Sequence, residues 1–363
     1  MSTDSDLKTV VNAVAVPGLP HTIGDVGRVI RAEISDDKAE IEISLGYPAQ
    51  GQLPEIEAAV RAALEASGGP ANVDLKIATK INSHSVQKNL KPLAGVKNII
   101  AIASGKGGVG KSTTSVNLAL ALSEDGAKAG ILDADIYGPS QQLMLGVTGE
   151  RPNSDDGESM YPIEAHGLQV MSMGFLIDPD QPMVWRGPMV TSALNQLLQQ
   201  TNWDDLDYLI VDMPPGTGDV QLTLSQQVPV SGAVIVTTPQ DIALLDARRG
   251  LQMFRKVAVP VLGVIENMST HVCSSCGHEE AIFGTGGGQS MADDFDIELL
   301  GQLPLDALIR EQTDSGTPTV VSAPDSPQAD AYRSAARRMA ARLAAQGKDY
   351  SHRFAPIVVE GQG

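Results

Sequence analysis

Basic residues are scarce: 26 Lys and Arg stand against 44 Asp and Glu over 363 residues, a formal net charge of −18. A general nucleic-acid surface needs clustered Lys and Arg against the phosphates, so no nucleic-acid partner is expected. No apolar run approaches the ~18 residues of a spanning helix, and no membrane insertion is expected. Cysteine is limited to Cys273 and Cys276, which excludes a disulfide framework and makes the cytoplasm the default location. The opening Met-Ser-Thr-Asp-Ser-Asp lacks the basic start and apolar core of a signal peptide. What the chain does have is 42% apolar residues, ample for a core, and a length beyond the usual single-core size. Two domains are expected.

Residues 1–81 read as a small α+β domain. Asp6–Val14 has helical spacing, Arg28–Ile34 and Ala39–Leu45 alternate as a hairpin around Asp36-Asp37, Leu53–Ala66 is an amphipathic helix, and Val73–Ile77 supplies a third strand. Residues 82–95 carry few core-forming side chains and read as a linker. Over 96–346 strands and helices alternate, the pattern of βαβ crossovers and of an α/β, doubly wound, mostly parallel sheet. Strands are expected at Ile99–Ser104, Ala129–Asp133, Tyr208–Asp212, Ala233–Thr237, Val261–Asn267 and Leu299–Leu303. An alanine-faced helix, Ser326–Gln346, is expected to pack on this domain, and 347–363 reads as a C-terminal tail.

The chemistry begins at Gly105-Lys-Gly-Gly-Val-Gly-Lys-Ser-Thr113, between an apolar strand and a helix-like stretch. Gly105, Gly110, Lys111 and Ser112 satisfy the G-x-x-x-x-G-K-[ST] phosphate loop. Glycines let successive N–H groups turn onto phosphate oxygens, and the following helix N-terminus adds positive potential. Nucleotide binding is assigned to Gly105, Lys106, Gly107, Gly108, Val109, Gly110, Lys111, Ser112 and Thr113, with Lys111 placed for the β- and γ-phosphates and Ser112 for Mg²⁺. In an open α/β sheet the ligand lies at the carboxyl ends of the strands. Asp133 and Asp212 end apolar strands there, as Walker B acids do, and join Ser112 as the expected Mg²⁺ residues. Asp135, two residues into a loop, is the candidate to orient the attacking water.

A phosphate loop has no need of Lys106 for its own phosphates. The two-lysine form resembles the deviant Walker A motif of the MinD, ParA, ArsA and nitrogenase iron-protein group. That resemblance implies that Lys106 reaches the nucleotide of a second copy, as an arginine finger does, and hence a homodimer. It implies also that Asp133–Ser140 and Pro214–Asp219 are switch segments, and that Asn267 hydrogen-bonds adenine, favouring ATP.

Cys273 and Cys276 stand in His-Val-Cys-Ser-Ser-Cys-Gly-His (271–278). This spacing is a recognised metal or redox signature rather than a chance pairing of inert thiols. A redox dithiol normally opens a helix in its own small fold. Within one chain, His271, Cys273, Cys276 and His278 offer four zinc ligands, though so short a loop strains tetrahedral closure. Two chains would instead offer four thiolates, the complement of a [4Fe–4S] cluster.

The phosphate loop, Asp-Ala-Asp-Ile-Tyr-Gly-Pro-Ser (133–140), Trp185-Arg186-Gly187-Pro188, Pro214–Asp219 and Glu266-Asn-Met-Ser leading into the cysteines together resemble the Mrp (ApbC-like) iron–sulfur cluster carrier ATPases over about residues 90–345. Residues 1–80 resemble the iron–sulfur assembly domain often fused ahead of them, with Val16-Pro-Gly-Leu-Pro20 in place of its Asp-Pro-Glu and no cysteine. The implied function is ATP-dependent carriage of a [4Fe–4S] cluster between two protomers, with slow hydrolysis. Scaffold proteins and apo iron–sulfur acceptors are the implied partners. A MinD/ParA-like positioning or partition ATPase and a nitrogenase-iron-protein-like redox ATPase are the alternatives.

Overall fold

The computed structural model describes residues 4–35, 38–87, 90–176, 187–273 and 275–346. Near the N-terminus, β1 (Gly27–Ser35), β2 (Lys38–Leu45) and β3 (Asn72–Thr79) form a sheet of order β1-β2-β3. The β1–β2 pair is antiparallel, closing from Ser35 to Lys38, while β3 runs parallel to β2. Every second residue of β2 (Ala39, Ile41, Ile43, Leu45) is buried, the period of a strand with one face inward. Ile56, Val60 and Leu64 of the helix Leu53–Ala66 enter the same core at i, i+4 and i+8. The expected turn Asp36-Asp37, Trp185-Arg186 and the tail 347–363 lie outside the described residues.

The larger sheet contains β4 (Val96–Ala103), β5 (Ala129–Asp133), β6 (Ile163–Ala165), β7 (Leu168–Ser172), β8 (Leu206–Asp212), β9 (Gly232–Thr237), β10 (Val261–Glu266) and, beyond a small hairpin of β11 (His271–Val272) and β12 (Glu279–Glu280), β13 (Glu298–Gln302). Its order is β13-β10-β9-β4-β8-β5-β7-β6, parallel throughout except for β6. The expected doubly wound parallel sheet is present. β6 and β7 lie outside the expected strands: they are three and five residues long and lack the continuous apolar run of a central strand. Their hairpin turns on His166 and Gly167, both at positive φ.

In this order β4 lies between β8 and β9, so crossovers leave it on both sides and a crevice opens at its carboxyl end. The phosphate loop occupies that position. Behind it, the helix Pro327–Ala344 is capped by Ser326 and packs through Ala335, Ala336, Met339, Ala340 and Leu343. A Cβ on Gly301 of β13 would come within 3.0 Å of the Ala335 methyl, so small residues on both sides permit the close approach.

Residues 82–87 are more tightly held than their polarity suggests. His84 Nδ1 donates to Asn98 Oδ1 at 2.9 Å, and buried Gln87 donates to the carbonyls of Ser225 and Val228 while accepting from the Val230 N–H. Such a segment satisfies backbone groups instead of burying apolar area, so hydropathy cannot reveal it.

Asp125, just past the helix Lys111–Glu124, joins three parts of the chain. It accepts from Arg337 Nε and Nη2 at 2.6 and 2.9 Å and from the Gly51 N–H at 3.0 Å. Truncating Arg337 would leave this buried carboxylate without its cation. Arg337→Ala is expected to cost about 3 kcal/mol in urea unfolding, with Arg337→Lys intermediate because it loses the bidentate fork. A loss below about 0.5 kcal/mol would show that the three-way junction carries no stability.

Candidate nucleotide site and cysteine hairpin

The loop's shape follows from where its glycines are needed. Gly108 and Gly110 take left-handed φ values of +82° and +79°, which L side chains resist. A Cβ on Gly105 would meet the Asp246 backbone at 2.2 Å, and one on Gly110 would meet Asn267 Nδ2 at 2.1 Å. Gly107 and Gly108 face open space instead. The loop is thus packed tightly behind and free in front, where its N–H groups can receive an anion.

Lys111 is buried, and its Nζ lies 2.6 Å from Asp212 Oδ1 and 3.2 Å from Ser112 Oγ. Asp212 Oδ1 also accepts from Ser115 Oγ at 2.8 Å, and Oδ2 from Gln141 Nε2 at 3.1 Å. The same Gln141 nitrogen donates to the Ser112 carbonyl, tying the loop's helix to the β8 carboxylate. Neither Ser115 nor Gln141 belongs to the phosphate-loop or strand-end patterns. Ser115 lies four residues beyond Lys111 on one helix face, a periodicity that could have exposed it. Gln141 sits on a four-residue helix, Gln141–Met144, and no spacing points to it.

Asp133 is fully buried beside Asp212, its partner across β5 and β8. Its oxygens accept from the N–H groups of Asp135, Ser140 and Gln141 and from Ser172 Oγ, so the carboxylate organises the loop 135–141. Burial, and then the Asp212 charge, push its carboxyl from 3.8 up to about 7 against those donors. Because the folded value is the higher one, the associated stability is fully present below pH ~4 and is lost as pH rises through ~7. Carboxyl-carbon NMR should find this titration near neutrality and, in Asp212→Asn, at a lower pH, with the burial contribution retained. An unchanged midpoint would remove Asp212 as a cause. Asp135 is partly buried and also raised, mainly by desolvation, while Lys111 opposes the shift.

Lys106 is half-buried, and its backbone carbonyl accepts from Ser104 Oγ at 2.9 Å. Val109 lies within the loop and Thr113 in the first turn of the helix, and Asn267 Nδ2 donates to the Val109 carbonyl at 2.9 Å. Beside them lies a cavity of about 300 Å³, lined by Gly110, Asn267, Met268, Pro304, Leu305 and Ile309 among others.

Cys273 and Cys276 occupy the turn of the β11–β12 hairpin, at the surface. The Cys273 N–H donates to the His278 carbonyl and the Gly277 N–H to the Cys273 carbonyl, each at 2.9 Å, with Gly277 at φ +70°. N–H groups of Ser275 and Cys276 hold the Cys273 thiol below the ordinary thiol range. His271 directs Nδ1 to the Leu305 carbonyl at 2.9 Å. Among the described residues, no three of His, Cys, Asp and Glu come together as a metal site. The one-chain set of two His and two Cys is therefore not assembled.

Residues 95–340 match the model of the ParA-type NUBPL iron-transfer P-loop NTPases, and residues 4–75 match that of an iron–sulfur cluster assembly protein. The chain belongs to the iron-transfer P-loop NTPase family. This member is 52% identical to the iron–sulfur cluster carrier protein of Escherichia coli K12 over 332 residues, 92% of this chain and 90% of that one. It is 53% identical to the mouse iron–sulfur cluster transfer protein NUBPL over 267 residues, 73% and 83% of the respective chains. Among solved structures, a nucleotide-binding protein of Archaeoglobus fulgidus in complex with ADP superposes with a TM-score of 0.55 at 35% identity, covering 61% of this chain and 87% of that one. The Pyrococcus furiosus cell-division ATPase MinD shares the fold, with a TM-score of 0.51 at 24% identity over 67% and 98%. The family implied by the two-lysine loop and the Cys-x-x-Cys is the family to which the chain belongs.

Proposed function

We propose that this family member is a cytoplasmic, ATP-dependent iron–sulfur cluster carrier acting as a homodimer. Two copies present Cys273 and Cys276 as four thiolates, receive a [4Fe–4S] cluster from scaffold proteins and pass it to apo-proteins. The observation that carries this reading is the hairpin: one Cys-x-x-Cys turn per chain at the surface, its backbone N–H groups directed at a thiol, and no third His, Cys, Asp or Glu grouped with the pair among the described residues. The names of the bacterial and mouse relatives support it. The location accords with the absence of any described helix long and apolar enough to cross a membrane.

ATP is the substrate of the phosphate loop. Lys111 and Asp212 hold each other at 2.6 Å, and a nucleotide with its cation offers each of them an alternative partner. Ser112 and Asp212 would hold Mg²⁺, which neutralises phosphate charge when bound. Asp133 contributes by fixing Asp212 and the loop 135–141, and Asp135 orients the water that attacks the γ-phosphate. Lys106 of the second copy stabilises the charge that develops on the phosphoryl oxygens. The γ-phosphate is sensed by Pro214–Asp219, where the Gly216 N–H is bonded to the Ser104 carbonyl beside the loop. Hydrolysis is slow and times cluster handling.

Transfer of cluster from reconstituted protein to an apo-acceptor tests the function. Wild type should transfer in an ATP-dependent manner, and Lys111→Ala should lose the ATP dependence while still loading cluster. Transfer that ignores ATP in both proteins would refute ATP-dependent carriage.

A further inference from the structure

The cysteine hairpin and the cavity beside the phosphate loop share one stretch of backbone. Asn267 touches the loop, Met268 lines the cavity, and His271 opens the hairpin only two residues before Cys273. Pro304 and Leu305 form another part of the lining. The two stretches are laced together: Ser269 N–H donates to the Leu303 carbonyl at 3.0 Å, Leu305 N–H to the Thr270 carbonyl at 2.7 Å, and His271 Nδ1 to the Leu305 carbonyl at 2.9 Å. Leu305 therefore faces the cavity while its own backbone holds Thr270 and the His271 ring. Among the described residues, the hydrogen bonds of 272–280 stay within the hairpin.

Met268 adds a second, independent sign. Its φ is +57°, a left-handed conformation that is uncommon for a long side chain. The other non-glycine residues with positive φ among those described are His166, Asp205, Ala258 and Asp296. His166 turns a hairpin, Asp296 ends a helix, and Asp205 and Ala258 lie in short connections. Met268 alone among these lines the cavity, on the path from loop to cysteines. Such strain persists only where the surroundings fix it, here the hydrogen bonds of Asn267 to Val109 and of Ser269 to Leu303 on either side of Met268.

We propose that His271 is a positioning residue through which an adenine nucleotide, its base seated between Met268 and Leu305, resets the cysteine hairpin of the same chain. The inference rests on the nucleotide reading of the phosphate loop and adds an intrachain route to the dimer contact at Lys106. A base that parts Met268 from Leu305 moves the carbonyl holding His271, and the imidazole carries that displacement to Cys273.

The two cysteines are the only thiols in the chain, so iodoacetamide labelling of the apo-protein reads the hairpin alone. Saturating Mg-ADP should change the wild-type labelling rate by about fivefold or more, in the lower range of typical coupling factors. His271→Phe keeps a ring but removes the donor. It should bind ADP within about twofold of wild type, which also certifies its fold, while its labelling rate no longer responds. His271→Asn, with an amide N–H near the position of Nδ1, should restore the response. An equal response in wild type and His271→Phe overturns the proposal, as does bound ADP without any effect on wild-type labelling. Failure of ADP to bind wild type would instead overturn the nucleotide reading, and this inference with it.

Discussion

Cys276→Ala is expected to reduce cluster loading to background. Anaerobic reconstitution of wild type should give about four iron and four sulfide per two chains, because two hairpins supply the four thiolates such a cluster requires. With one cysteine removed from each chain, only two thiolates remain per dimer, and two irons lose their protein ligand. Cys273→Ala should behave alike. Neither change should disturb the ATPase domain, because both side chains lie in a surface turn, and unfolding free energies should stay within about 0.5 kcal/mol of wild type. That separation makes the experiment decisive, since a loading defect could not be ascribed to misfolding. Undiminished iron in either variant would rule out the bridged cluster and return attention to a site using His271 or His278.

The second large effect concerns the two lysines. Lys106→Ala and Lys111→Ala are each expected to lower ATP hydrolysis by about 10³-fold, the lower range for a cation placed on a transferring phosphoryl group. Mixing the two inactive proteins should restore activity. In a mixed dimer, the Lys106→Ala chain keeps an intact phosphate loop and receives Lys106 from its partner, so one of its two sites is complete. Random exchange makes half of the dimers mixed, each with half its sites working, so recovery should approach about one quarter of wild type. A mixture that stays inactive after exchange would place the action of Lys106 within its own chain. The geometry makes Lys111 the costlier change structurally. It is the cation beside buried Asp212, which also neighbours Asp133, so Lys111→Ala should destabilise the nucleotide-free protein as well. Lys106, half-buried and with no ion pair among the described residues, should not.

Much of the architecture was legible residue by residue. The helix Leu53–Ala66 and the strand Ala129–Asp133 have the bounds that their apolar spacing indicates. The phosphate loop announced its strand and helix because glycine spacing, a lysine and a hydroxyl recur wherever backbone N–H groups must wrap phosphate. Less legible was whatever depends on polar groups meeting across long separations. Gln87 reaches Ser225, Gln141 reaches Asp212, and Asp125 reaches Arg337. None of these leaves a period in the sequence, since a glutamine that satisfies a distant carbonyl looks like one in solvent. The hold that Gln87 gives to the segment 82–87 has that same origin, whereas β6 and β7 are hidden by their shortness.

The sequence by itself therefore determined the nucleotide chemistry, the sheet class and the Cys-x-x-Cys, all carried by short contiguous patterns whose geometry is local. Only the tertiary structure decided that Asp133 accepts from the N–H groups of Asp135, Ser140 and Gln141 while Asp212 pairs with Lys111, because packing and not residue type sets which donors a buried carboxylate meets. It alone showed that, among the described residues, His271, Cys273, Cys276 and His278 are not grouped as one metal site. It also brought the hairpin's first residue onto Leu305, 34 residues away, because β10 and β13 run parallel and side by side and so place the segments that follow them together.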